Sequence, residues 1–453
     1  MLTHNLGYPR IGSQRELKKA CELYWSGKDS QSNLLQVGKN IRTENWLLQK
    51  KAGLDLVPCN DFSFYDQVLD MSLTLNAIPQ RYHDVMHNKS NTELDLLFAM
   101  ARGYQKDGLD IIAMEMTKWF DTNYHYIVPE FYKNQQFSFF SKKVLQEFYE
   151  AKELGLNAKP VLIGPVSYLL LGKEKEEGFH RIELIDRLLP VYIEILDKLQ
   201  EYGVQWVQFD EPFLVMNLSQ EEKKAYHLAY NQLRRKFPYL NIMVATYFEC
   251  TGDNLDVAMD LPLDALHVDL VRCPSQLDDI LESKFVSSKT RLSLGLVDGR
   301  NIWKNDFKKS LDFIDKAKEK LGDERIMIAP SSSLLHSPCD LEKETNDKVL
   351  SKEIKNWLAF AKQKVEEVVT LNKISSLESE REKEYVLKEN QDAIEDRRNS
   401  VLIHKKHVKD RVASIEDQDT RRKSRFSERQ EKQSKILNLP LFPSTTIGSF
   451  PQT

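Results

Sequence analysis

From residue 161 to residue 329, short and continuously apolar runs alternate with longer stretches of helical period. The runs are Val161-Leu162-Ile163, Trp206-Val207-Gln208-Phe209, Ile242-Met243-Val244-Ala245, Leu266-His267-Val268-Asp269-Leu270, Leu292-Ser293-Leu294-Gly295-Leu296 and Ile326-Met327-Ile328-Ala329. A strand that is apolar on both sides must be covered on both faces, and parallel neighbours need a crossover helix between them. Few folds meet both demands. Two earlier runs, Leu54-Asp55-Leu56-Val57-Pro58 and Ile111-Ile112-Ala113-Met114-Glu115-Met116, extend the rhythm. Together they predict an α/β fold of the (β/α)8 barrel type, with helical insertions near residues 65–75 and 92–104. A doubly wound open sheet is the alternative, disfavoured because no GxGxxG follows the first strand.

The flanks are read from capping chemistry. Ser13-Gln14-Arg15-Glu16 fits a capping box, which predicts that Ser13 caps a helix running to about Trp25. A second helix, over about 32–52, is expected to stop at Gly53. After a helix near 352–371, residues 372–437 are dense in charge and contain no proline or glycine. Composition alone permits disorder there. The recurring leucine, isoleucine and valine favour long solvated helices acting as a spacer. Then Thr446-Ile447-Gly448-Ser449-Phe450-Pro451-Gln452-Thr453 repeats the pattern of Leu6-Gly7-Tyr8-Pro9-Arg10-Ile11-Gly12: an aliphatic residue, glycine, then an aromatic–proline pair. Such a repeat reads as the first strand of a second domain built like the first. The expected organisation is a barrel at 1–371, a helical connector at 372–440, and the start of a second barrel at 441–453.

Sixty-four basic and 68 acidic residues leave a formal charge of −4, which argues against a general nucleic-acid binder. The five cysteines, Cys21, Cys59, Cys250, Cys273 and Cys339, are scattered without a CxxC. Such a set predicts reduced thiols in a cytoplasmic protein. The N-terminus has no signal-peptide pattern, and no apolar run approaches the roughly 20 residues that span a bilayer.

Barrel enzymes work at the C-terminal ends of their strands. Asp210-Glu211 after Trp206–Phe209 could bind a cation or act as acid and base, or one acid could cap the next helix or bind an arginine. Arg15, Lys18 and Lys19 share one helix face in its first two turns, where the macrodipole is already positive. That placement suits an anion, and Lys118 at a neighbouring strand end could join them. A solvated basic face is the alternative. His267, inside an apolar strand, reads as a core histidine. Serines follow Pro330, and no set of strand-end ligands for zinc is visible.

At these residues the chain resembles the cobalamin-independent methionine synthases. The matching strings are Leu6–Gly12 with Arg15-Glu16-Leu17-Lys18-Lys19, Glu115–Phe120 with Thr122–Tyr126, and Gly164-Pro165 with Asp210-Glu211-Pro212. Leu266–Val271, Asp298-Gly299-Arg300-Asn301, Ser333–Pro338 and Thr446–Thr453 continue them. The resemblance is collinear over essentially the whole chain. It implies two face-to-face barrels joined by a connector. It also implies methyl transfer from 5-methyltetrahydropteroyltri-L-glutamate to L-homocysteine, without cobalamin. Zinc in the second barrel would activate the homocysteine thiol, and its ligands would lie beyond Thr453. Ser332 would stand where that barrel has a cysteine. Arg15, Glu16, Leu17, Lys18 and Lys118 would contact the folate, and Ile447, Gly448 and Ser449 the homocysteine. The expected partners are these two substrates and the second barrel, with neither nucleic acid nor membrane, in a monomer. Two rival readings stand beside it: a self-sufficient barrel enzyme using Asp210 and Glu211, and a scaffold that binds nothing.

Overall fold

Eight short strands form one all-parallel sheet in the computed structural model, which describes residues 1–445. They are β1 (Leu2–Thr3), β2 (Val57–Cys59), β3 (Ala158–Ile163), β4 (Trp206–Asp210), β5 (Asn241–Ala245), β6 (Ala265–Asp269), β7 (Arg291–Val297) and β8 (Ile326–Pro330). The sheet order is β1-β8-β7-β6-β5-β4-β3-β2. Its two edges then meet. His4 bridges Leu56 in parallel, and the Thr3 carbonyl accepts from Leu56 N at 3.1 Å. Closure leaves no strand edge unpaired and makes the expected (β/α)8 barrel.

One expected strand is not in it. Ile111–Met116 lies outside the sheet, and β1 completes the ring instead. Ile112 is 72% exposed, whereas a barrel strand is covered on both faces. Ile111 pairs antiparallel with Tyr104, and Met114 N donates to Met100 O at 2.9 Å. The run thus lies over a second apolar cluster, built from helices Glu16–Trp25, Gln31–Ala52, Gln67–Thr74 and Glu93–Arg102. Met116–Lys118 then forms an antiparallel hairpin with His125–Ile127.

Helix ends follow local chemistry, with one correction. Ser30 Oγ caps Gln31–Ala52 by accepting from Asn33 N, and Gly53 ends that helix at φ 100°. Ser13 caps nothing. Arg15 occupies the cap position at φ 64°, and the Glu16 carboxylate accepts from Gln14 N at 2.9 Å. A tight turn in which Arg15 N donates to Gly12 O carries the chain past Ser13 before the helix begins. A non-glycine residue in that region costs on the order of 1–3 kcal/mol.

The barrel interior is partly polar. His4, Lys159, Gln208, His267 and Ser293 are all fully buried. Lys159 Nζ donates to Gln208 Oε1 and lies 3.1 Å from His4 Nδ1. Ser293 Oγ joins His4 Nε2 at 2.7 Å to His267 Nδ1 at 2.8 Å. Burial drives the Lys159 ammonium down to about 7, against the opposing pull of Asp210 and Asp61. Burial likewise lowers His267 to about 3, as a neutral core histidine requires.

The described chain falls into two compact units, one ending at Ile394 and one beginning at Glu395. Helix Ala361–Ser375 buries Val365, Val368 and Leu371 within the first. Asn390 belongs to it as well, accepting from Phe307 N at 3.0 Å and donating to Asn305 O at 2.8 Å. In the second unit, Lys406–Ala413 and Phe426–Leu437 are helices with no buried residue. Over 372–437 the chain is therefore mostly helical, with breaks at 376–379, 400–405 and 414–425. An isolated helix of this length is marginal in water. Amide exchange at 406–413 and 426–437 is expected to outpace that of the barrel strands by orders of magnitude. Equal protection in the two places would contradict this assignment.

Candidate functional site

The C-terminal ends of the barrel strands converge on a mouth that side chains almost fill. Asp61 follows β2, Asp210 ends β4, Tyr247 follows β5, and Ser333 and His336 follow β8. These residues, with Trp119, Phe248 and Leu335, enclose a cavity of about 30 Å³. That is room for about one or two waters and for no substrate. Asp210 accepts from Gln208 Nε2 at 2.6 Å and from the Tyr247 hydroxyl at 3.1 Å, and burial raises its carboxyl to about 6. Burial raises Asp61 to about 7.

Glu211 points elsewhere. Its carboxylate accepts from Ser167 N at 2.8 Å, Val166 N at 3.4 Å and the Tyr230 hydroxyl at 2.8 Å. It therefore caps helix Pro165–Leu171, which follows the neighbouring strand β3, rather than the helix after its own strand. The fit requires Gly164, where an added Cβ would lie 2.1 Å from Glu211 Oε1. The two adjacent acids do different work, and the fully buried Glu211 is out of reach of any ligand.

The predicted basic residues stand outside the mouth. Trp119, 4% exposed, anchors the hairpin in the mouth and leaves its neighbour Lys118 exposed on the rim. Lys118 pairs in register with His125. His125, Trp119 and Tyr124 line a small adjoining cavity with Arg10, whose guanidinium lies over the Tyr124 ring at 5.9 Å. Arg15 follows five residues later, exposed like Lys18 and Lys19. Arg10 thus lies beside the hairpin, and Arg15 precedes the helix that follows it. No hydrogen bond or ion pair among the described residues joins Lys118 to Arg15, Lys18 or Lys19. Lys18 pairs loosely with Glu22 at 3.8 Å. The Leu17 side chain is core, 5% exposed, and its N–H is bonded to Ile11 O.

Sequence reasoning missed the clamp that fixes this hairpin. Asp121, three residues after Lys118, accepts from Arg272 at 2.8 Å and from Arg300 at 2.7 Å. These arginines follow β6 and β7. Each pair joins residues more than 150 positions apart, which no local pattern reveals. The only available signal was the polar Asp298-Gly299-Arg300-Asn301 string at a strand end.

Among the described residues, no group of three His, Cys, Asp or Glu side chains is placed to hold a metal ion. The side chains present therefore do not fit zinc. Two cysteines correct the expectation of reduced thiols: Cys250 and Cys273 form a disulfide with Cα atoms 5.1 Å apart. They sit in the loops after β5 and β6, neighbours in the sheet but 23 residues apart in sequence. Cys21, Cys59 and Cys339 are free thiols.

Residues 2–322 match the family profile described as cobalamin-independent synthase, N-terminal domain. The chain belongs to the cobalamin-independent methionine synthase family. It is 63% identical over its whole length to a 5-methyltetrahydropteroyltriglutamate–homocysteine methyltransferase of Cytophaga hutchinsonii, and covers 59% of that protein. It is 49% identical over 99% of its length to the protein of the same name from Saccharomyces cerevisiae, covering 58% of it. The chain thus spans about three-fifths of the length of these relatives. In fold it is similar to a putative vitamin-B12 independent methionine synthase from Listeria monocytogenes, with a TM-score of 0.53 at 14% identity. That match covers 83% of this chain and 99% of the other. The family's match at Ile447, Gly448 and Ser449 lies outside the described residues.

Proposed function

We propose that this chain is the folate-holding barrel of an enzyme that moves a methyl group from 5-methyltetrahydropteroyltri-L-glutamate to L-homocysteine, making methionine. The observation that carries the reading is the contrast at the rim. The mouth has about 30 Å³ of space, while Arg15, Lys18, Lys19 and Lys118 stand exposed outside it. Such a barrel is built to hold a polyanion on its outside rather than to run chemistry within. A triglutamate tail is a string of carboxylates, and charge-assisted bonds from arginine and lysine suit it.

In this reading the homocysteine site and the zinc belong to a second barrel, for which the connector is the spacer. Zinc supplies stabilisation of the thiolate nucleophile. The described residues offer it no ligand set, so no step here runs through it. The reading places the enzyme in the cytoplasm as a monomer, needing no cobalamin. No helix among the described residues is long and apolar enough to cross a membrane.

The test is to supply the 453-residue chain with both substrates and zinc. The expected result is triglutamate binding without methionine formation, and less than one equivalent of zinc retained after dialysis against a weak chelator. Methionine formation by this chain, or stoichiometric retained zinc, would overturn the division of labour.

A further inference from the structure

We propose that Cys250 and Cys273 are a reversible thiol–disulfide modification site that sets how firmly the rim holds the Lys118 hairpin. The inference stands on the geometry of the rim and does not need the folate reading, which supplies only its consequence.

The two sulfurs sit where two loops exchange contacts. Cys250 lies two residues after Phe248, and Cys273 one residue after Arg272. Phe248 N donates to Asp269 Oδ2 at 3.1 Å, and Arg272 Nε donates to Phe248 O at 3.1 Å. Arg272 uses its other end to grip Asp121, beside the hairpin. Phe248 is held at φ 83°, and its ring meets Phe120 at 5.7 Å and His336 at 5.6 Å. The disulfide therefore closes a small ring with the same two residues that touch the hairpin's end. Opening it leaves Thr251 and Gln276 joined at 3.3 Å, so the loops loosen without coming apart.

The chemistry is accessible from one side. Cys250 is partly exposed, while Cys273 is 3% exposed. A thiolate of a dithiol reductant attacks the Cys250 sulfur, the S–S bond breaks, and Cys273 leaves as a thiolate that takes a proton. The reductant's second thiolate then attacks the mixed disulfide. Cys250 leaves as a thiolate and is protonated, and the reductant ends as its own disulfide. Two electrons have passed to the protein. A low-molecular-weight disulfide runs the same exchange in reverse. Reversibility also reconciles a disulfide with a reducing compartment, where lasting ones are rare.

The experiment equilibrates the chain in graded mixtures of reduced and oxidised dithiothreitol. Thiols are then trapped with iodoacetamide under denaturing conditions for peptide mass analysis. Cys21, Cys59 and Cys339 should be alkylated throughout. Cys250 and Cys273 should appear linked at the oxidised end, alkylated at the reduced end, and linked again on return. Hydrogen exchange at residues 116–127 should rise about threefold or more on reduction. In Cys250→Ser/Cys273→Ser it should stay at the reduced rate in every buffer. Five alkylated cysteines in the oxidised buffer, or a pair that does not re-form, would overturn the site. A pair that titrates while hairpin exchange stays constant would overturn the coupling. The buffer titration of the unaltered chain decides both even where the double variant fails to fold.

Discussion

Lys159→Met should cost the barrel about 2–6 kcal/mol of unfolding free energy, because each of two stranded buried polar groups loses about 1–3 kcal/mol. Methionine matches the length of lysine but donates nothing. Gln208 Oε1 and His4 Nδ1 would both face an apolar side chain in the centre of the barrel. The pH profile separates this loss from a packing defect. The Lys159 amine has a folded value near 7, well below the ordinary lysine range. Between the two values the unfolded chain holds a proton that the folded chain lacks, so this group makes stability rise with pH from about 7 upward. Asp61 and Asp210 work in the opposite sense. Their raised values, about 7 and about 6, make stability fall as pH rises, but that fall is largely complete by about pH 8 and is common to both chains. Urea midpoints at pH 7 and pH 9 should therefore differ more in the unaltered chain than in Lys159→Met. An unchanged difference in the variant would show that the lysine is charged in the fold.

The barrel was legible where burial on both faces dictated it. From Ala158 to Pro330 every barrel strand was read from its apolar run, and Leu54–Pro58 marks β2, so seven of the eight places follow from such runs. The rest failed for identifiable reasons. Leu2–Thr3 is too short to show a pattern, yet it closes the ring through the carbonyl of Thr3. Ile111–Met116 has a strand's composition, but one side of it faces solvent, and composition does not say which surface a run covers. Ser13 lost its cap to a left-handed Arg15, a choice made by the turn from Gly12. Cys250 with Cys273, and Asp121 with Arg272 and Arg300, are contacts between neighbouring loop ends. Strand order creates them, and sequence spacing hides them.

The site was legible in part. Lys118 and Arg15 were picked out as unusual charges, and the fold leaves both exposed. Leu17 shows the limit of carrying a string over whole, since its side chain belongs to the core. Glu211 shows another. An acid at a strand end looks catalytic until its three hydrogen-bond donors are found.

The central claim is that the rim cations grip the polyglutamate tail, and Lys118→Ala in the complete enzyme tests it most directly. Lys118 is exposed and makes no ion pair among the described residues, so its removal should leave the fold intact. Dissociation constants for the triglutamate and monoglutamate forms of methyltetrahydrofolate should be measured by titration calorimetry. Triglutamate binding should weaken by about tenfold or somewhat more, the scale of one charge-assisted contact. Monoglutamate binding should change much less, and homocysteine binding not at all. Added salt should shrink the triglutamate difference, because exposed charges are screened within about 8 Å at physiological ionic strength. Equal weakening of both folates, or no weakening of either, would contradict the tail-grip account.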